Sequence, residues 1–233
     1  MTFNEIEGKA LNLLKTISGT SNIDVSKPPI PVEEIAESFL GFKIVQGLSR
    51  NQKISSMIQL AQKRIVVNSK EPVARRRFSI AHEIGHWNLH PQYNDGKVVF
   101  RTRKSPDRIE AEANAFAGAI LMPSKLIYKS LLENLALIAK FDTVWLIKIA
   151  DLLPPSQYRF FNKLFFSQFF QINSGPSKKR KDWADTLVAL IPRMAKEFAV
   201  SKEALSVRMQ ILGLLSPIYK SELSTVTKYN PLI

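Results

Sequence analysis

Apolar side chains recur through the first forty residues at the three- and four-residue intervals of amphipathic helices. Phe3, Ile6, Ala10, Leu13, Leu14 and Ile17 share one face of a helix predicted over residues 2–18. Thr2 and Glu5 have the spacing of a capping box, and Gly19 is expected to end the helix. Lys27, Pro28, Pro29, Ile30 and Pro31 then interrupt regular structure, and residues 32–40 read as a second short helix with Val32, Ile35, Ala36 and Phe39 inward. The period next becomes strand-like. Three β-prone runs, 42–46, 54–60 and 64–67, predict a small antiparallel sheet. Asn68 and Glu71 again stand at capping-box spacing, with Pro72 expected in the first turn of a helix that reaches about His90 and is stopped by Pro91. A loop at Asn94, Asp95 and Gly96 leads to a short apolar run, Val98, Val99 and Phe100. Ser105, Pro106 and Asp107 then open a helix expected to end before Pro123, and Ser124 is placed to cap the next.

Past residue 130 the texture changes, and the chain divides into a mixed region at 1–130, a variable helical Phe-rich segment with a basic linker at 131–185, and a helical end at 186–233. Six of the 14 phenylalanines fall between Tyr158 and Ile172, a stretch too short and too interrupted by Arg159, Asn162, Lys163 and Gln168 to span a bilayer. It reads as a packed amphipathic helix, with a partner surface or membrane-surface contact as alternatives. The hydrophilic stretch 173–181, with Lys178, Lys179, Arg180 and Lys181, reads as a solvated linker. Residues 191–213 have the look of a helix-turn-helix, with Ser201 capping its second helix and Gly213 ending it.

Composition narrows the chemistry. With no cysteine among 233 residues, a disulfide framework, a Cys-ligated metal site and a thiol nucleophile are excluded, so any metal must be held by His, Asp or Glu. The N-terminal stretch has no long apolar run, which predicts neither a signal peptide nor a transmembrane anchor and a cytoplasmic protein. The net charge is +13, with the surplus at 61–110 and 154–233. That distribution allows an acidic partner or a weak association with DNA through the C-terminal third, without establishing either.

All three histidines fall between 82 and 90, in the stretch Arg75 to His90 that carries the pattern HExxH. Chance matches of that pattern at this composition are on the order of 0.002 per chain. On a helix, residues four apart stack one turn above another, so His82 and His86 can aim at one metal ion while Glu83 lies beside it to take a proton from water. A catalytic zinc usually takes three protein ligands. His90 lies about 12 Å along the axis from His82 and is expected to serve as a cap, as support for a ligand or as a wall of the cleft. The third ligand is expected on the helix opened by Asp107. Glu110 and Asn114, four apart, suit a metal ligand and an amide that bonds the free nitrogen of a ligating histidine. Glu112 points about 200° from Glu110 and is the alternative ligand, with Asp107 a more remote one. Ala113, Ala117 and Gly118 would let this helix approach the HExxH helix closely. His90, Tyr93, Tyr128 and the arginines are all conceivable oxyanion donors, and residues 54–60 could pair with extended substrate.

The run RRFSIAHEIGHWNLH followed by EAEANAFAGAILMP resembles the ImmA/IrrE family of bacterial metallopeptidases over about residues 1–130, and the segment around 191–213 resembles that family's C-terminal end. The resemblance implies a zincin-like α+β domain with a helical extension. It also implies a Zn2+ site on His82, His86 and Glu110, Glu83 as general base, and cleavage of a helix-turn-helix repressor that frees mobile-element, phage or stress genes. Two rivals share the sequence: a DNA-binding regulator with a structural metal site, and a toxin-antitoxin or phage-defence component.

Overall fold

The first helix, α1 (Phe3–Thr20), forms where its apolar face predicts and opens with the capping box complete: Thr2 N donates to Glu5 Oε2 at 2.6 Å and Glu5 N to Thr2 Oγ1 at 3.4 Å. It runs through Gly19, because the hydroxyls of Thr20 and Ser21 bond back to the carbonyls of Thr16 and Ile17 and finish the last turn. The structure, a computed structural model, describes residues 1–47, 55–91, 107–139 and 178–215. These form two compact units, Met1–Pro123 with Glu197–Ser201, and Ser124–Lys196 with Lys202–Ile233.

In the first unit, α2 (Val32–Glu34) widens into a π turn, Ile35–Phe39. The wider turn buries Val32, Ile35, Ala36 and Leu40 and leaves Phe39, expected inward, only half-buried. Gly41 at φ 72 then reverses the chain, a conformation open to glycine without strain. Strands β1 (Lys43–Gly47), β2 (Ser56–Gln59) and β3 (Arg64–Asn68) follow. They correct the expectation of an antiparallel sheet: the order is β1-β3-β2, with β2 antiparallel to β3 but β1 parallel to it, Lys43 opposite Arg64 and Gly47 opposite Asn68. β2 lies on the far side of the sheet from β1, and the β2-β3 hairpin folds β3, with Ile65 and Val67 buried, back into the centre.

Helix α3 (Val73–Leu89) starts later than its predicted capping box. Asn68 is claimed by the sheet, where its N–H donates to Ser55 O, and its Oδ1 accepts from Lys70 N in the turn. Pro72 is therefore the cap residue, with no side-chain cap bond, and His90 closes the other end through its N–H to His86 O. Arg77 is buried against Glu33 (2.6 Å) and Ile30 O, tying α3 to the proline-rich segment. Helix α4 (Asp107–Leu121) lies against both α3 and α1.

In the second unit, α5 (Ser124–Ala139) begins with Ser124 itself, so the serine is inside the helix and its buried hydroxyl makes no capping bond. The segment read as a linker at 173–181 is helical from Lys178 onward: α6 (Lys178–Glu197) starts in the basic run, whose Lys and Arg are good helix formers. Helix α7 (Lys202–Ile211) follows Ser201 directly, and Gly213 at φ 74 ends it as predicted. Tyr128 is buried and donates to Leu212 O at 3.4 Å, joining α5 to the end of α7. The apolar run at 98–100, the Phe-rich segment, and Tyr93 lie outside the described residues. Among the described residues no single helix is long and apolar enough to cross a membrane.

Candidate metal centre

Helix α3 can carry the HExxH pattern inside the first unit because Ile80, Ala81, Ile84 and Leu89 surround it with apolar surface, all nearly or fully buried. Its contact with α4 is made at Gly85. A Cβ there would stand 3.1 Å from Ala113 O and 3.2 Å from both Ala113 Cα and Phe116 Cβ, so any larger residue would push α4 outward by a few tenths of an ångström. One turn before Ala113 on α4 comes Glu110, and the close approach brings it over the two histidines.

His82, His86 and Glu110 offer ligand atoms that all lie within 4.8 Å of one another. The Nε2 atoms of His82 and His86 are 2.9 Å apart, His82 Nε2 is 3.3 Å from Glu110 Oε2, and His86 Nε2 is 3.5 Å from Glu110 Oε1. Three ligands at roughly 2.0–2.1 Å from one ion in a tetrahedral arrangement are separated by about 3.3 Å, so the triangle fits a metal of zinc's size with little adjustment. Asn114, one turn after Glu110, places Oδ1 2.9 Å from His82 Nδ1. That oxygen only accepts, so in the neutral ring Nδ1 holds the proton and the Nε2 lone pair points into the triangle.

The electrostatics are those of a cation site. Burial of His82 disfavours its charged form, but the hydrogen bond it donates to Glu110 and the Glu83 charge outweigh it and raise its pKa. Hydrogen bonds from His82 and His86 hold the Glu110 carboxyl well below the usual carboxylate range against the opposing effect of burial.

The other predicted residues are placed apart from this triangle. Glu112 turns to the opposite side of α4, where it takes the N-terminal ammonium, Arg108 Nε at 3.0 Å and His90 Nε2 at 3.6 Å. Burial works to raise its pKa, but the ammonium and Arg108 outweigh that and lower it. His90 is buried, its ring centroid 6.0 Å from that of His86, and burial followed by the His86 charge lowers its pKa. The side chain of Asp107 lies outside the described residues. Glu83, 1% exposed, accepts a hydrogen bond from Ser56 Oγ at 2.7 Å. Sequence reasoning missed Ser56; the available signal was a serine at an inward position of β2 whose other inward residue is Ile58.

Comparison with known proteins places these residues in a family. The profile of a peptidase family, the IrrE N-terminal-like domain, matches residues 32–151. Metallopeptidase ImmA of Bacillus subtilis (strain 168) is 27% identical over 134 residues, 56% of this chain and 70% of that protein. Uncharacterized immunity region protein 2 of Bacillus phage phi105 is 43% identical over 65 residues, 28% of this chain; the match spans 41% of the phage protein's length.

Proposed function

The chain belongs to the ImmA/IrrE-like family of metallopeptidases, and on that premise we propose that it is a zinc-dependent, zincin-like protease that cuts a helix-turn-helix repressor. The observation that carries the proposal is the convergence of His82, His86 and Glu110 into one triangle of donor atoms, with Glu83 on the next residue of the same helix. Two imidazoles and a carboxylate form a donor set used for catalytic zinc, with a fourth position left for water or substrate. When bound, the metal supplies a Lewis acid that polarises the scissile carbonyl and acidifies water. Glu83 takes the proton from the attacking water and returns it to the leaving amine, so one carboxylate serves as base and then acid. Asn114 keeps His82 in the tautomer that leaves Nε2 to the metal. Among the described residues β2 is an edge of the sheet beside α3, and its backbone groups suit an extended substrate segment.

A phage or mobile-element setting is supported by the names of the relatives, one from a phage immunity region. The DNA-binding rival draws less support from α7. Arg208, one of the few residues on that helix suited to reading bases, is 1% exposed, which leaves Lys202 as the exposed basic residue of α7, while two large apolar residues, Val207 and Ile211, are exposed one turn apart.

The test is purified protein with one equivalent of zinc mixed with candidate helix-turn-helix repressors from the same genome. Cleavage is expected with the natural chain, and Glu83→Gln should keep the zinc while lowering the rate at least about a hundredfold. Equal cleavage by both would remove Glu83 from the reaction.

A further inference from the structure

We propose that Ser56 is a positioning residue for Glu83, holding the carboxylate on the buried side of α3 in one orientation; this rests on the peptidase reading above. The hydroxyl donates to Oε1 at 2.7 Å, and the two residues are 4% and 1% exposed. A hydroxyl-to-carboxylate bond away from water is charge-assisted and unscreened, stronger than the same bond at the surface. The strand does not need the hydroxyl for its own sake. Ser56 and Ile58 are the inward residues of β2, and an alanine or valine would fill the first position without burying a polar group that must find a partner.

Ser56 is itself firmly placed. It stands opposite Val67 of the central strand, and the residue before it accepts a backbone hydrogen bond from Asn68 through Ser55 O. Glu83 is not among the three residues of the donor triangle, so its position has to come from another contact, and β2 supplies one across 27 residues of sequence. The bond divides the carboxylate between two tasks: Oε1 anchored on β2, Oε2 for the proton of the attacking water. It also links the base to the strand beside which extended substrate would lie, so the peptide and the group that activates its attacker share one rigid reference.

The test compares Ser56→Ala and Ser56→Thr in the full zinc-loaded chain. Removing the hydroxyl should lower kcat by about tenfold while KM and zinc affinity from chelator competition stay as they are. Threonine, which keeps the donor, should restore the rate. Crystals of the two zinc-loaded proteins should show the Glu83 carboxylate in one position with serine and displaced or in several positions with alanine. An unchanged kcat, a carboxylate that stays in place without the hydroxyl, or loss of zinc along with activity would each overturn the proposal. If Ser56→Ala does not fold, Ser56→Cys, a weak donor of similar size, takes its place in the same measurements. If the natural chain cuts nothing, the peptidase reading fails, while the carboxylate positions still decide whether Ser56 holds Glu83.

Discussion

At the scale of single residues, the site is a competition between protons and a metal for the same nitrogens. In the metal-free chain the raised pKa of His82 means that its charged form is favoured by folding. That contribution is fully present below the unfolded value of 6.5 and is lost as pH rises through the folded value. Glu110 has the opposite sign: its lowered pKa stabilises the fold above 4.5 and the contribution is lost as pH falls through the folded value. The pair therefore supports the metal-free protein best between those two values. Zinc needs His82 Nε2 without its proton, so the stabilisation by zinc should grow with pH through the neutral range, reaching about 2.7 kcal/mol where free zinc is a hundred times its Kd. Melting curves from pH 5 to 8 with and without zinc measure this, and a zinc increment that does not change with pH would contradict it. Glu110→Ala should abolish the increment at every pH, whereas Glu112→Ala, which loses contacts to Arg108, His90 and the N-terminal amine, should keep it. Helical spacing stacks His82 over His86 and Glu110 over Asn114, so each pair could be read from sequence, while their meeting across α3 and α4 rested on the small residues of α4 and on the family resemblance. The bond from Ser56 to Glu83 and the contacts of Glu112 with His90 and the N-terminal amine could not, because neither helical spacing nor the family resemblance pointed to them.

At the scale of elements, the triangle depends on how closely α4 lies on α3, and that distance is set by Gly85. Replacing it with alanine adds a methyl where 3.1–3.2 Å separates the Cβ position from Ala113 and Phe116. Alanine is the better helix former by about 1 kcal/mol, but overpacking a close contact costs about 1–3 kcal/mol. The backbone of α4 is the atom that would have to give way, so the net sign is destabilising, and Glu110 moves with it. Gly85→Ala should lower both the thermal midpoint and the zinc affinity. Gly8→Ala in α1, with nothing within 4 Å of its Cβ position, should raise the midpoint slightly and leave zinc binding alone. Equal effects of the two would mean that helix propensity, not the α3-α4 contact, decides the outcome. Most helices were legible from periodicity, and the capping box of α1 formed as expected, but the caps expected at Asn68 and Ser124 did not form and the start of α6 was hidden in a run read as linker. The parallel pairing of β1 with β3 was not, since alternation of inward and outward residues is the same in either direction and the choice of neighbour comes from contacts distant in sequence.

At the scale of the whole molecule, the charge that first suggested nucleic acid loses part of its force. Arg77 is committed to Glu33 and Ile30, and Arg208 is buried, so two of the 33 basic residues are held inside and not offered to a partner. The division into units has a sharper consequence. The unit that holds the metal triangle is not one continuous stretch, because Met1–Pro123 is completed by Glu197–Ser201 from the far end of the chain. Phe198 in that short segment is fully buried and Val200 nearly so. Burying a phenylalanine contributes roughly 1.5–3 kcal/mol, a large share of the 5–15 kcal/mol that holds a typical domain together. A fragment ending at Pro123 should therefore bind zinc but melt well below the full chain. Phe198→Ala in the full chain should move the midpoint in the same direction, with a loss of about 3–5 kcal/mol for a fully buried phenylalanine. Calorimetry of the zinc-loaded fragment against the full chain decides it. A fragment as stable as the corresponding transition of the full chain would mean that the metal-binding unit is complete without its distant segment.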